Sequence, residues 1–124
     1  MKALQNISLI ICLFCSGCAL LVVGGATAIG TYTYTQGQLI CVYNANLETS
    51  YNAVVSGIQA LGMPVLDPQK GISSASVNTL DGERDVWINL KVKSSTTTEI
   101  SVRVGYFGDE FVSQRIHDSI RTKF

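Results

Sequence analysis

Two stretches of strictly alternating residues constrain the fold of this chain more than any other feature. In residues 85–93 and again in residues 99–106, every even position is apolar and nearly every odd position is polar. Such alternation is typical of antiparallel strands with one buried and one solvated face. The dipeptide Asp81-Gly82 predicts a hairpin that joins the first stretch to a more polar strand over residues 72–80. Before that strand, Pro68–Gly71 is predicted to be a loop.

Two helices accompany these strands. After an initial strand over residues 39–43, Asn46 is a suitable N-cap, and apolar residues recur at helical spacing through residues 47–61. A closing helix begins near Asp109, and its apolar stripe includes Phe111. The order is β-α-β-β-β-α. We therefore expect an α+β fold with a four-stranded, largely antiparallel sheet and two helices on one face.

The N-terminal segment differs sharply from this domain, because Lys2 is the only charged residue among the first 47. Apolar residues 7–14 follow that lysine, and the small pair Ser16-Gly17 directly precedes Cys18. This order is typical of a bacterial lipoprotein signal. It predicts that a diacylglyceryl group alkylates the Cys18 sulfur and that the chain is cut before this residue.

The signal divides the chain into three parts. They are a lipoprotein signal peptide at residues 1–17, an acylated cysteine with an apolar Gly-Thr tether at residues 18–36, and a small α+β periplasmic domain at residues 37–124. A single-pass membrane protein is the alternative. Without the cut, residues 7–30 form 24 uncharged, largely apolar positions, which is enough to span a bilayer.

The cysteines do not predict a metal centre or another cofactor. Cys12, Cys15 and Cys18 have the spacing of part of an iron–sulfur ligand run, but they lie within the signal. The fourth, Cys41, has no partner in the mature chain. Its place in an alternating strand predicts a buried thiol.

The polar residues do not predict catalysis either. His117 is the only histidine, and we expect it on the surface of the closing helix. Asp109 and Glu110 suit a helix start better than an acid–base pair. We therefore expect no enzyme. The mature chain would carry eight bases and nine acids, a net side-chain charge of −1, so no nucleic-acid partner is expected.

Trp87 is the exposed-face aromatic residue with the clearest potential for recognition. Its odd position in the strand places it on the solvated side. There it is a candidate contact for a partner or a platform for a glycan. The alternative is that it packs against Tyr32–Tyr34 or a strand edge.

The chain resembles a family of short bacterial lipoproteins that is catalogued as a domain of unknown function. The resemblance covers nearly the whole chain, from Gly17-Cys18-Ala19 through the helix end Ala60–Val65 to the turn Gly105–Glu110. The resemblance implies a fold and a cellular location but no activity. Because Ala19 follows the acylated cysteine instead of aspartate, the resemblance also implies sorting to the outer membrane.

From these features we expect a non-enzymatic envelope lipoprotein. The membrane would hold it through acylated Cys18, facing the periplasm, where the domain contacts another envelope protein. The alternative function is a small-molecule or lipid binding module, with an apolar pocket between the sheet and a helix.

Overall fold

Six strands and two helices follow one another in residues 28–124, which are the residues that the computed structural model describes. Every neighbouring pair of strands is antiparallel, and all six form one sheet in the order β1-β2-β6-β5-β4-β3. The elements are β1 Ala28–Thr35, β2 Gln38–Tyr43, α1 Leu47–Ala60, β3 Leu66–Lys70, β4 Ser74–Asp81, β5 Arg84–Ser94, β6 Thr97–Val104 and α2 Glu110–Arg121.

The expected four-stranded sheet is wrong, because the sheet has six strands. The α+β class is nevertheless correct. The four predicted strands correspond to β2, β4, β5 and β6, which form the centre of the sheet. The two additional strands are both edges. β1 lies in residues assigned to the tether, and β3 includes part of the segment assigned to a loop.

Strand β1 forms because a run of Thr and Tyr residues suits extended backbone and finds a partner in β2. Tyr34 lies opposite Leu39, which is buried on the helix side of the sheet. The Tyr32 ring packs 5.1 Å from the His117 ring, and its hydroxyl accepts a hydrogen bond from Arg121. The strand therefore depends on contacts that are distant in sequence, which local pattern does not reveal.

Every residue of strand β3 is exposed, and the strand is bonded to the sheet on one side only, along β4. Pro68 lacks an N–H, so this segment is compatible with an edge strand but not with a central one. Asp67 has a φ of 43°, and the register shifts between Leu66 and Gln69. A bulged edge strand that contains proline has the sequence pattern of a loop, which explains the incorrect prediction.

The core lies between one face of the sheet and the two helices. The buried strand residues alternate and meet across the ladders, as in the opposed pairs of Ile88 with Val102 and of Leu90 with Ile100. The helices contact each other where a Cβ at Gly57 would approach the Ile120 Cα to 2.8 Å. Ser119 Oγ donates to the Gly57 carbonyl at 2.7 Å in the same place. The helices therefore lie on one face, as expected.

Two local predictions are confirmed. Asn46 caps α1, because its side-chain oxygen accepts from the Thr49 N–H at 2.8 Å. Strands β4 and β5 form the predicted hairpin, and its two-residue connection contains Gly82 at a φ of 64°. Within residues 28–124, neither helix is long and apolar enough to cross a membrane.

The strands define two ends of the sheet. At the loop end lie the β1–β2 turn, the β4–β5 turn and the segment between β6 and α2, which contact one another. At the entry end lies Ala28, the first residue of β1, which is paired with Tyr43 at the far end of β2. Eight residues of β1 separate the two ends, a distance of about 20 Å.

Candidate functional site

Three large aromatic side chains are exposed together at the loop end of the sheet. We call residues 105–111, which carry them, the aromatic loop. Tyr106, Phe107 and Phe111 are 80%, 88% and 79% exposed, respectively. The rings of the first two meet edge to face, with centroids 5.3 Å apart. Large apolar side chains exposed this close together in sequence are uncommon on a folded domain, and exposed apolar surface typically marks an interaction site.

Two of these positions differ from their sequence predictions. Tyr106 was expected to continue the inward face of its strand, and Phe111 was expected in the buried stripe of the closing helix. Strand β6 ends at Val104 because Gly105 has a φ of 70° and its N–H donates to the Asp85 carbonyl at 2.8 Å. The alternation stops there, so the aromatic side chain at position 106 is left outside the core.

The aromatic loop is held against the turn between β1 and β2 by backbone contact. Gly108 has a φ of 83°, and a Cβ added to it would lie 2.5 Å from both the Cα and the carbonyl oxygen of Gly37. Gln36 and Gly37 both have positive φ, as a two-residue type I′ hairpin turn requires. The exposed rings therefore sit on a tightly packed support.

Charged groups fix the other side of the aromatic loop. Arg84 donates to the Asp81 carboxylate at 2.6 Å and to the Asp109 carboxylate at 3.0 Å. Asp109 also caps α2 by accepting from the Val112 N–H at 3.1 Å. Both hydrogen bonds lower the pKa of the Asp109 carboxyl, and the bond from the Val112 N–H has the larger effect. Asp109 is therefore a cap and an ion-pair partner, and its carboxylate occupies the helix start where a phosphate would bind.

A groove of about 530 Å³ lies beside the aromatic loop, on the face of the sheet opposite the helices. Trp87 projects from this face, as predicted, and lies directly opposite Arg103 in the β5–β6 ladder. It does not pack against Tyr32, which lies on the helix side. The groove is lined by Gln38, Trp87, Asn89, Ser101, Arg103 and Tyr106.

The lining combines aromatic, amide, hydroxyl and guanidinium groups and contains no carboxylate. Arg103 Nη2 donates to the Tyr106 carbonyl oxygen at 2.9 Å, an acceptor that carries no formal charge. The same bond ties the groove to the aromatic loop. The two surfaces therefore form one composite candidate site, of which the sequence indicated Trp87 alone.

His117 is completely buried, which contradicts its predicted position on the helix surface. Its Nε2 lies 2.8 Å from the Leu39 carbonyl oxygen, and its Nδ1 lies 2.7 Å from the Tyr43 hydroxyl. Since a carbonyl can only accept, Nε2–H donates to Leu39, and Nδ1 accepts from the Tyr43 O–H. Burial lowers the pKa of His117 to about 4. The imidazole is a neutral structural group here, with no access for a substrate.

The spacing of α2 contains the signal for this burial. Ser113, Ile116, His117 and Ile120 recur at intervals of three, one and three residues, and all four are buried. A stripe drawn through position 113, instead of through Phe111, places the histidine inward.

Of the four cysteines, only Cys41 lies within the described residues. Cys41 is a free, buried thiol whose pKa is raised by burial, which confirms the prediction. Cys12, Cys15 and the predicted lipidation residue Cys18 lie outside the described residues. Within residues 28–124, no group of three His, Cys, Asp or Glu residues could hold a metal ion.

The chain was compared with known protein families. A family model described as "Protein of unknown function (DUF3568)" matches residues 2–123, nearly the whole chain. No curated protein matches the chain. The resemblance to a family of unknown function is thereby confirmed, whereas the lipoprotein character of the chain stays a prediction.

Proposed function

This chain belongs to the DUF3568 family of proteins of unknown function, and we propose that it is a non-catalytic lipoprotein of the bacterial cell envelope. In this proposal acylated Cys18 holds the chain at the periplasmic face of the outer membrane. The folded domain presents the aromatic loop to another envelope protein. One observation carries the second part: three exposed aromatic rings stand on a braced loop at the end of the sheet opposite Ala28, where the chain enters the sheet.

The N-terminal sequence supports the anchor. Lys2, the apolar run and Ser16-Gly17 before Cys18 are the parts that lipoprotein processing requires. The family match begins at residue 2, so this segment lies within the region that the family model describes. Acyl chains contribute about 0.8 kcal/mol per buried CH₂, so two or three chains on one cysteine hold a small domain firmly at a bilayer.

The direction of β1 supports a contact at the loop end. Cys18 precedes Ala28 by ten residues, and β1 enters the sheet at the entry end. A tether from Cys18 therefore joins the domain at the entry end, while the aromatic loop lies at the opposite end, about 20 Å away along the strands. A surface in that position lies at the end of the domain farther along the chain from the anchor, where a partner can reach it.

The chemistry of the aromatic loop favours a protein partner. Tyr and Phe rings clustered at a rigid protrusion are typical anchors of protein interfaces, where they fill pockets of the partner. The neighbouring charges, Arg84 with Asp81 and Asp109, are already paired with each other. They can form a polar rim without an unpaired charge being buried.

The geometry gives less support to the alternative of an internal binding pocket. Side chains between the sheet and the helices, including Val54, Ile88 and Val102, are fully buried against one another. This favours a packed core over a pocket for a small molecule or lipid.

The anchor is tested by replacing Cys18 with serine in cells that produce the full chain. The wild-type protein should fractionate with membranes and have the mass of a chain that starts at an acylated cysteine. Cys18→Ser should leave an uncut precursor, whereas the matched control Cys12→Ser should be processed normally. A wild-type chain that still starts at Met1 and stays in the membrane would contradict the lipoprotein proposal and favour the single-pass alternative.

The partner contact is tested by a photo-crosslinking residue in place of Phe107 in intact cells. A specific adduct with one envelope protein is expected, and it should disappear when Tyr106 and Phe111 are both changed to serine. Ile72 is a matched control position, because it is fully exposed but lies in the β3–β4 turn. Equal adducts from both positions, or none from position 107, would refute the role of the aromatic loop.

A further inference from the structure

We propose that the groove beside Trp87 binds an acidic oligosaccharide. A sugar ring stacks on the indole, its carboxylate pairs with Arg103, and its hydroxyls bond to the amide and hydroxyl side chains of the lining. The site shares Tyr106 with the aromatic loop, but the proposal does not rest on the anchor at Cys18 or on a protein partner.

The sheet register places the lining groups in a regular grid. Gln38, Arg103 and Trp87 form one row across β2, β6 and β5, because Gln38 pairs with Arg103 and Arg103 pairs with Trp87. Ser101 and Asn89 form the next row. Strands lie about 4.8 Å apart and alternate residues about 7 Å apart, so the grid measures about 10 by 7 Å. An area of that size suits two adjoining sugar rings.

Trp87 supplies the stacking surface. Its side chain is partly exposed at one side of the grid, next to Arg103, on a central strand whose backbone is bonded on both sides. An indole fixed in this way gives a broad apolar face at little entropic cost. The axial C–H groups of a pyranose ring form a flat apolar surface that complements this face, while the ring hydroxyls point outward toward polar neighbours.

The polar lining matches the edge of a sugar ring. Gln38 and Asn89 each carry both a donor and an acceptor, and Ser101 adds a hydroxyl. A carbohydrate hydroxyl also donates and accepts, so such groups can pair with it in several orientations. The groove is open along the sheet, which allows a linear chain to continue beyond the two bound rings.

Arg103 selects for an acidic sugar. The lining has one cation and no anion, so a ligand with a carboxylate complements the charge of the groove. A guanidinium binds a carboxylate through charge-assisted and often bidentate hydrogen bonds. Its bond to the Tyr106 carbonyl already orients the side chain toward the groove.

Other ligand classes fit these residues less well. A phosphate-rich ligand needs several cations or a free helix start, but the groove offers one arginine, and Asp109 occupies the start of α2. A lipid needs an apolar lining, whereas four of the six lining side chains are polar or charged. A peptide that adds to the sheet needs an edge strand, but this groove lies over three strands that include the centre of the sheet.

The only tryptophan of the chain lies inside the proposed site, so its fluorescence reports binding directly. The probes are a galacturonic acid oligomer and the disaccharide of N-acetylglucosamine with N-acetylmuramic acid, which distinguish uronic from lactyl carboxylates. A neutral maltose oligomer is the control ligand. The full chain is used in a zwitterionic detergent, because a detergent with a sugar head group would compete with the probes for the groove. We expect a saturable change of Trp87 fluorescence with at least one acidic probe at millimolar concentration.

Two charge variants then test the assignment. Arg103→Gln should weaken acidic-probe binding about tenfold or more, because it removes a hydrogen-bonded charge pair. Lys91→Gln also removes one positive charge from this face of the sheet, but Lys91 lies on β5 outside the groove. This variant should leave the affinity unchanged. The neutral oligomer should bind more weakly than the acidic probe to wild-type protein and equally to wild type and Arg103→Gln.

Three results would overturn the proposal. They are the absence of a fluorescence change with both acidic probes, equal affinity of wild type and Arg103→Gln for an acidic probe, and an equal loss of affinity in Arg103→Gln and Lys91→Gln. Circular dichroism confirms that each variant is folded. Calorimetry with Trp87→Phe supplies a readout without the fluorophore, and it should show reduced but measurable binding. Since every substitution lies outside the aromatic loop and the signal, failure here leaves the anchor and the protein contact untouched.

Discussion

Acidification should destabilise this fold through His117. The imidazole accepts a proton in the unfolded chain near its ordinary pKa of 6.5, whereas in the folded domain burial lowers that pKa to about 4. The unfolded state therefore binds more protons between these two values, and stability falls as the pH drops through this window. Above pH 6.5 the full contribution is present, and below about pH 4 it is lost.

The size of the effect follows from the difference between the two pKa values. A shift from 6.5 to about 4 corresponds to about 3 kcal/mol of unfolding free energy, at about 1.4 kcal/mol for each pH unit inside the window. A domain of this size is stable by roughly 5–15 kcal/mol, so the loss is a large share of the total. The physical cause is desolvation, because a charged imidazolium at this position would be buried away from water.

The assay is urea unfolding of residues 28–124, which contain all eight elements, followed by circular dichroism across the pH window. His117→Gln is the matched control. Glutamine can donate an amide N–H toward the Leu39 carbonyl but does not titrate. The variant should be less stable near neutral pH and should lose less stability on acidification, by about 3 kcal/mol between pH 7 and pH 4.

Direct observation is also available, because the chain has one histidine. The proton resonances of its ring should not titrate until the pH approaches 4. A histidine that titrates near 6.5 in the folded protein would refute the reasoning. So would identical pH dependence of stability in the wild type and the glutamine variant.

Two further predictions use matched pairs of substitutions in residues 28–124, with urea unfolding as the measurement. Thr79 and Thr98 are both buried strand threonines. Within the described residues the Thr79 hydroxyl has no hydrogen-bond partner, whereas the Thr98 hydroxyl donates to a carbonyl at 2.9 Å. Thr79→Val should therefore stabilise the fold by about 1 kcal/mol and Thr98→Val should destabilise it by about 1–2 kcal/mol, and equal effects would contradict this view. Gly108→Ala should cost about 3 kcal/mol or more, because its Cβ would meet the Gly37 backbone in addition to the strain of a positive φ. Gly82→Ala introduces the same positive-φ strain, but its Cβ would have open space around it, so this variant should cost only about 1–2 kcal/mol. Equal losses of stability in the two variants would show that the aromatic loop is not packed as described.

The central part of the fold could be predicted from the sequence because its signals are local. Alternation in residues 85–93 fixed the buried face of β5, and Asn46 marked the start of α1. The edge strands could not be predicted in this way. β1 is defined by its pairing with β2, and Pro68 gives β3 the appearance of a loop.

The candidate site was predictable only where a side chain projects from a regular strand. The alternation of β5 placed Trp87 correctly on the solvated face. Tyr106 was misplaced because Gly105 ends the strand one residue before it, and a glycine inside an alternating run does not reveal its φ. The burial of His117 depends on partners at positions 39 and 43, more than 70 residues away.

The interrupted edge strands have a consequence for association between copies of this protein. On one side Pro68 and the bulge at Asp67 break the pattern of backbone donors and acceptors, and on the other the pairing of β1 shifts between Ile29 and Thr33. Irregular edge strands of this kind oppose the addition of a strand from a second copy. The two borders of the sheet are therefore poor templates for edge-to-edge aggregation.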